Sequence, residues 1–259
     1  MADRYVLKGT TDLALVAGPI ASTDSLFFGE GEQTVSSGTN LSALANGLVD
    51  VTVNRTFSGH IVDLRLDVTG ILWYDAGGGS MSIIADGAAT EIIAKVWHTG
   101  LGTLTFKTAG TVTNWEQISG AGYIEDTGLV TNIRLGGGVL NQKYHSTANT
   151  DWTISGGIFN TGRGFSGTAN IGGGTIIVRR EDSSATVPTG ATLTVVGPAK
   201  VIWQGGNITA LNLLHPDTVF DASQAPAALT ITTVIGFAKA VRRSGLPMVA
   251  GGTVINKNN

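Results

Sequence analysis

The sequence contains no cysteine, which removes disulfides, thiolate metal sites and cysteine nucleophiles together. Stability has to come from backbone ladders and packing. Charge is also scarce: Asp, Glu, Lys and Arg make up 14% of residues, against about a quarter in an average soluble domain. The net charge is −3, and the only basic cluster is Lys239, Arg242 and Arg243. Without a basic face there is no electrostatic footprint for a phosphate backbone, so no nucleic-acid partner is expected. No run reaches the ~18 apolar residues of a membrane-spanning helix, so no membrane partner is expected either. The opening MADRYVLKGTTDLALVAGPIAS places Asp3 where a signal peptide is positively charged, and its apolar stretch Leu13–Ile20 is short and interrupted by Gly18-Pro19. It does not read as a secretion signal, and synthesis in the cytoplasm is expected.

Glycine is what the chain has in excess. There are 37 in 259 residues, about twice the usual share. Thr, Val and Ile fill much of the remainder and favour pleated backbone. Alternating aliphatic and aromatic residues set this composition apart from glycine-rich disorder. From Ser80 to Gly236 the glycines mark a beat of about twenty residues. The run divides into SMSIIADGAATEIIAKVWHTG, LGTLTFKTAGTVTNWEQISG, AGYIEDTGLVTNIRLGGG, VLNQKYHSTANTDWTISGG, IFNTGRGFSGTANIGGG, TIIVRREDSSATVPTGATLTVVG, PAKVIWQGGNITALNLLHP and DTVFDASQAPAALTITTVIG.

Short β-branched runs between glycine corners are the pattern of stacked β-coils, in which each coil leaves an edge unpaired until the next lies on it. The expected fold is all-β, a single-stranded, right-handed β-helix or β-solenoid with an irregular N-terminal arm and a C-terminal tail. Residues 1–32 form the arm, 33–79 a capping segment with the first coils, 80–236 about eight coils, and 237–259 the tail. Within the cap, strands are expected at Gln33–Ser36, Val49–Val53, His60–Val68 and Ile71–Tyr74. The spacing of Leu41, Leu44 and Leu48 suggests a short helical turn over Asn40–Leu48. In the tail, Thr253–Ile255 reads as a strand.

Candidate chemistry is sparse. Glycoside hydrolysis needs two carboxyls about 5–10 Å apart. Glu125-Asp126 and Glu181-Asp182 lie 56 residues apart, nearly three coils or about 14 Å at ladder spacing. Adjacent residues in a strand also point to opposite faces. Asp217 and Asp221 are closer but read as solvated turn carboxylates. His60, His98, His145 and His215 lack metal-ligand spacing, and Gly172-Gly-Gly174 closes a coil rather than opening a helix, so the dinucleotide fingerprint has no context. No catalytic residue, metal or cofactor is expected. Trp97, Trp115 and Trp152 are 18 and 37 residues apart, one and two coils, with Leu135 and Ile171 near the same phase between and beyond them. They read as an aromatic–aliphatic ladder along one face, either packed in the solenoid or offered as a platform to sugar rings or a subunit.

The segment SSGTNLSALANGLVDVTVNRTFSGHI (Ser36–Ile61) resembles a pattern found in head proteins of tailed bacteriophages. There a turn, a short amphipathic segment, a strand and an FxG-I turn precede a β-helix. The matching residues are Gly38, Leu41, Ser42, Leu44, Val51, Val53, Phe57, Gly59 and Ile61, with GEGEQTV (Gly29–Val35) upstream. Val62 stands where a second glycine is usual. With the coils, the likeness to β-helical capsid cement (decoration) proteins runs from Gly29 to Gly236. It implies a non-enzymatic structural virion protein on the capsid exterior, a homotrimer that bridges major capsid protein subunits and stabilises the expanded head. Under that resemblance the arm and tail make the contacts. Tyr5, Leu7, Phe27 and Phe28 serve as apolar anchors, and Arg242 and Arg243 as polar ones. The alternative is a tail-fibre or tailspike domain that binds or cleaves host surface polysaccharide.

Overall fold

The computed structural model describes residues 92–107, 111–125, 129–143, 148–179, 188–225 and 229–237, and elsewhere the strands named below; side chains are described within 95–236. Among the described residues there is no helix. The chain divides into two compact units, Met1–Thr131 and Asn132–Asn259.

The first unit carries β1 (Asp3–Val6), β2 (Ser25–Phe28), β3 (Gly31–Val35), β4 (Asn46–Asp50), β5 (Arg55–Gly59), β6 (Leu72–Asp75), β7 (Ser80–Ala85), β8 (Ile92–His98), β9 (Thr103–Lys107), β10 (Thr111–Gln117) and β11 (Ala121–Glu125). They form two sheets, ordered β1-β2-β4-β6-β8-β10 and β3-β5-β7-β9-β11. β12 (Leu129–Leu135) crosses into the second unit, followed by β13 (Val139–Gln142), β14 (Asp151–Ile154), β15 (Ile158–Thr161), β16 (Phe165–Ile171), β17 (Gly174–Val178), β18 (Gly190–Val195), β19 (Ala199–Trp203), β20 (Ile208–Leu213), β21 (Val219–Asp221), β22 (Ile231–Phe237), β23 (Val241–Arg242) and β24 (Val254–Lys257). Here the orders are β12-β14-β16-β18-β20-β22-β24 and β13-β15-β17-β19-β21-β23. From β2 onward strands alternate between two parallel sheets, one of each per turn, which is the β-solenoid that the twenty-residue beat implies. Each of the eight segments delimited from the sequence contains two strands.

β10, β12, β16, β18 and β20 bend within their length. In β16 the burial runs Phe165 in, three residues out, Ala169 in, Asn170 out and Ile171 in. β10 and β12 likewise turn two successive residues outward. In the second unit, inward positions past the bend are filled by aliphatic and aromatic side chains. In the second unit Ile133, Trp152, Ala169, Leu193 and Leu211 form one register row, and Leu135, Ile154, Ile171, Val195 and Leu213 the next. Ala169 leaves space for the indole of its neighbour Trp152, which packs at 5.1 Å from Phe159 and 4.6 Å from Phe165, ring centre to ring centre. The inward rows are buried completely or nearly so.

Glycine corners let the turns stack. Gly157 has φ +78°, and a Cβ there would lie 2.6 Å from the carbonyl oxygen of Gly138 on the preceding turn. That left-handed, close-approach position suits glycine alone. Backbone bonds cross the same corner from turn to turn: the amides of Ser155, Gly172 and Val196 donate to the carbonyls of Leu135, Ile154 and Ile171 at 2.7–2.8 Å.

At the ends one expectation is overturned, the helical turn over Asn40–Leu48. Asn46, Gly47 and Leu48 are not helical; they lie in β4, whose residues pair with β2 and β6. Pairing on both sides outweighs the weak helical spacing of the three leucines, and glycine is a poor helix former in any case. The rest of the expected turn and the expected strand His60–Val68 lie outside the described residues. The arm contributes β1 and β2, which pair in parallel with each other, and β2 pairs onward with β4. The expected strand at Thr253–Ile255 appears as β24, paired to β22.

Candidate functional site

Among the described residues the acidic side chains do not converge. Glu125 ends β11, in register with Lys107 of β9. Asp221 accepts hydrogen bonds from the amide and hydroxyl of Ser223, at 3.1 and 2.7 Å. Asp217 is exposed beside His215, its carboxylate 4.0 Å from Nδ1. Asp151 accepts from the amide of Thr168 at 2.6 Å, fixing the bend of the next turn. Asp126, Glu181, Asp182, His60 and His145 lie outside the described residues. Among the described residues no group of three metal-ligating side chains occurs.

The tryptophan ladder is corrected by the register. Trp115 pairs with Val96, and Trp97 pairs with Glu116, so Trp97 and Trp115 face opposite sides of their sheet. Trp115 and Trp152 are buried, Trp115 packing edge-on to Phe106 at 6.2 Å. Trp97 is half-buried on the outer face, with the Lys95 ammonium 5.5 Å from its ring centre and the same lysine bonded to Glu116 at 2.8 Å. Leu135 and Ile171 share the inward face with Trp152 but belong to the neighbouring row, aligned with Ile154. These tryptophans form no common outer platform.

Two features escaped the sequence reading. One is a buried polar corner in the second unit. Gln142 and Asn149 exchange amide hydrogen bonds at 2.9 and 2.8 Å, and the Thr161 hydroxyl donates to Gln142 Oε1 at 3.0 Å. The Arg163 amide donates to the Thr161 hydroxyl, and its Nε donates to the carbonyl of Lys143. Burial lowers the guanidinium pKa to about 10, so it stays charged at neutral pH. Gln142 and Thr161 are one turn apart and in register. Their 19-residue spacing was legible, but nothing local said that both point inward.

The other feature is the outer surface of the second unit. On the even-numbered sheet Arg134, Thr153, Asn170, Thr194 and Asn212 form one row, with Asn212 donating to Thr194 at 3.1 Å. On the odd-numbered sheet the rows run Val139, Ile158, Thr175, Lys200, Val219 and Asn141, Asn160, Ile177, Ile202, Asp221. Ile158 is 41% exposed. Asn160 donates to Asn141 at 2.9 Å, while its own Oδ1 is buried without a hydrogen-bond partner, because the next residue in the row is Ile177. These faces combine β-branched aliphatics with short neutral polar side chains and few charges.

Of the expected contact residues, Tyr5, Phe27 and Phe28 lie on β1 and β2, and Arg242 on β23, in register with Phe220. Their side chains, and Leu7 and Arg243 altogether, lie outside the described residues. Comparison with protein-family models, with curated proteins and with solved structures finds no match to the chain.

Proposed function

We propose that this protein is a structural component of a virion, a capsid cement protein that assembles as a homotrimer and bridges major capsid protein subunits on an expanded head. The observation that carries the reading is the outer surface of the second unit, rows mostly of Thr, Asn, Val and Ile with Arg134, Lys200 and Asp221 as their charged members, where a solitary solenoid would need more Lys and Glu to prevent association. Such faces suit burial against copies of the same chain or a host lattice. The sequence resemblance between Gly29 and Gly236 points the same way. Under this reading the solenoid is a spacer. Tyr5, Leu7, Phe27 and Phe28 of the arm and Arg242 and Arg243 of the tail reach the shell.

A staple that binds only the expanded lattice stabilises that state by mass action and needs no chemistry of its own. The purified chain is expected to co-sediment with expanded heads of the phage that encodes it and not with immature ones. Equal binding to both, or release of reducing sugar from capsular polysaccharide, contradicts the proposal. The polysaccharide alternative rested on an aromatic platform, and with Trp115 and Trp152 in the core it would require other residues.

A further inference from the structure

The inward position just before the even-to-odd corner is aliphatic in β12, β14, β16, β18 and β20: Leu135, Ile154, Ile171, Val195 and Leu213. In β8 and β10 it is polar, His98 and Gln117, which are register partners and are both buried. Placing two polar side chains in a row that the fold otherwise fills with aliphatics costs stability unless their hydrogen bonds are made. Gln117 meets that need, with Nε2 donating to the Gly120 carbonyl at 3.2 Å and Oε1 accepting from Trp115 Nε1 at 3.4 Å.

The His98 imidazole sits beneath Gly120. That residue has φ +67°, and a Cβ there would lie 2.6 Å from His98 Nε2 and press on the Gly100 carbonyl. The corner closes over the ring through backbone bonds, Ile118 N donating to His98 O at 3.0 Å and Ala121 N to Gly102 O at 2.9 Å. The Ser119 hydroxyl adds a bond to Gly100 O at 2.8 Å.

We propose that this corner of the first unit is an acid-opened latch with His98 as its trigger. The enclosed ring is stable when neutral. Charging it puts an imidazolium into a closed space lined by backbone, by the Gln117 side chain of the next turn and by apolar core, and the turn releases the ring to water. The latch carries Leu101 and Ile118, exposed by 78% and 55%, on adjacent turns, so opening rearranges an apolar outer ridge. The charged side chains described around the corner lie away from the ring. Glu116 and Lys95 pair with each other on the opposite face. Lys107 and Glu125 stand at the far ends of β9 and β11. The corner segments 99–102 and 118–121 hold no titratable residue. On β6 the register partner is Tyr74, followed by Asp75. The inference does not depend on the capsid reading.

Burial lowers the His98 pKa from 6.5 to about 4, and the backbone at Gly102 and Ala121 pulls upward without overcoming it. A depressed folded-state pKa means that the contribution is complete above 6.5 and is lost as pH falls from there toward about 4. Between pH of about 7.5 and about 5 the opening equilibrium is therefore expected to rise about 30-fold. Hydrogen exchange of the full chain, corrected for intrinsic exchange at each pH, reads this out. Peptides covering 92–107 and 111–125 are expected to lose protection by that factor, while 148–179 does not. His98→Leu and His98→Gln each abolish the pH dependence. Should both variants fail to fold, the titration of the His98 ring protons in the unmodified chain decides between a depressed and an ordinary pKa. Protection independent of pH, an equal loss in both units, the same loss in a folded variant, or an ordinary His98 pKa would overturn the proposal.

Discussion

At the residue scale, position relative to the corner decides what a side chain does. Trp97 and Trp115 are 18 residues apart, close to one turn, yet they face opposite sides because coil length varies and the strands bend. Counting back from the corner restores the phase. His98 and Gln117 are the last inward residues of β8 and β10, so Trp97 is outward and Trp115 inward. Trp152→Ala is accordingly expected to destabilise the fold by about 3–5 kcal/mol, the usual cost of emptying a large aromatic site. Trp97→Ala gives up a half-exposed contact with Lys95 and is expected to cost about 1 kcal/mol. Chemical denaturation of the two variants separates these outcomes, and equal losses would contradict the assigned faces. The tryptophans as a class were legible as periodic residues. Their direction was not, because periodicity alone does not locate a bend.

At the element scale, the strands and corners of the coils were readable because glycine and β-branched residues alternate in blocks, and each segment between Ser80 and Gly236 does contain two strands. The strand at Asn46–Asp50 was less readable: three leucines at helical spacing competed with a pairing preference that depends on β2 and β6, far away in sequence. Buried polar elements were equally hidden. Gln142, Asn149, Thr161 and Arg163 satisfy one another across a corner, and only the folded chain brings Asn149 back onto Gln142. The corner geometry makes its own prediction. Gly157→Ala puts a Cβ on a left-handed residue 2.6 Å from the Gly138 carbonyl, so the turn has to shift. The expected loss is above ~1 kcal/mol, greater than the usual glycine-to-alanine gain from reduced chain entropy. A melting temperature at or above that of the parent would show that the stacked corner tolerates a side chain.

At the scale of the whole molecule, each unit is built of parallel strands in two sheets, and the interior of the second unit holds aliphatic and aromatic rows with one satisfied polar corner. The proposed association rests on the outer rows of the second unit, where β-branched and amide side chains outnumber charged ones. The sequence had already placed functional weight on the arm and tail through a resemblance, while the described surface adds a reason for the coils themselves to be covered. The most direct measurement is the mass of the purified chain in solution. Sedimentation equilibrium at micromolar concentration is expected to return three times the chain mass of 26.6 kDa; a stable species at the single-chain mass would contradict the account.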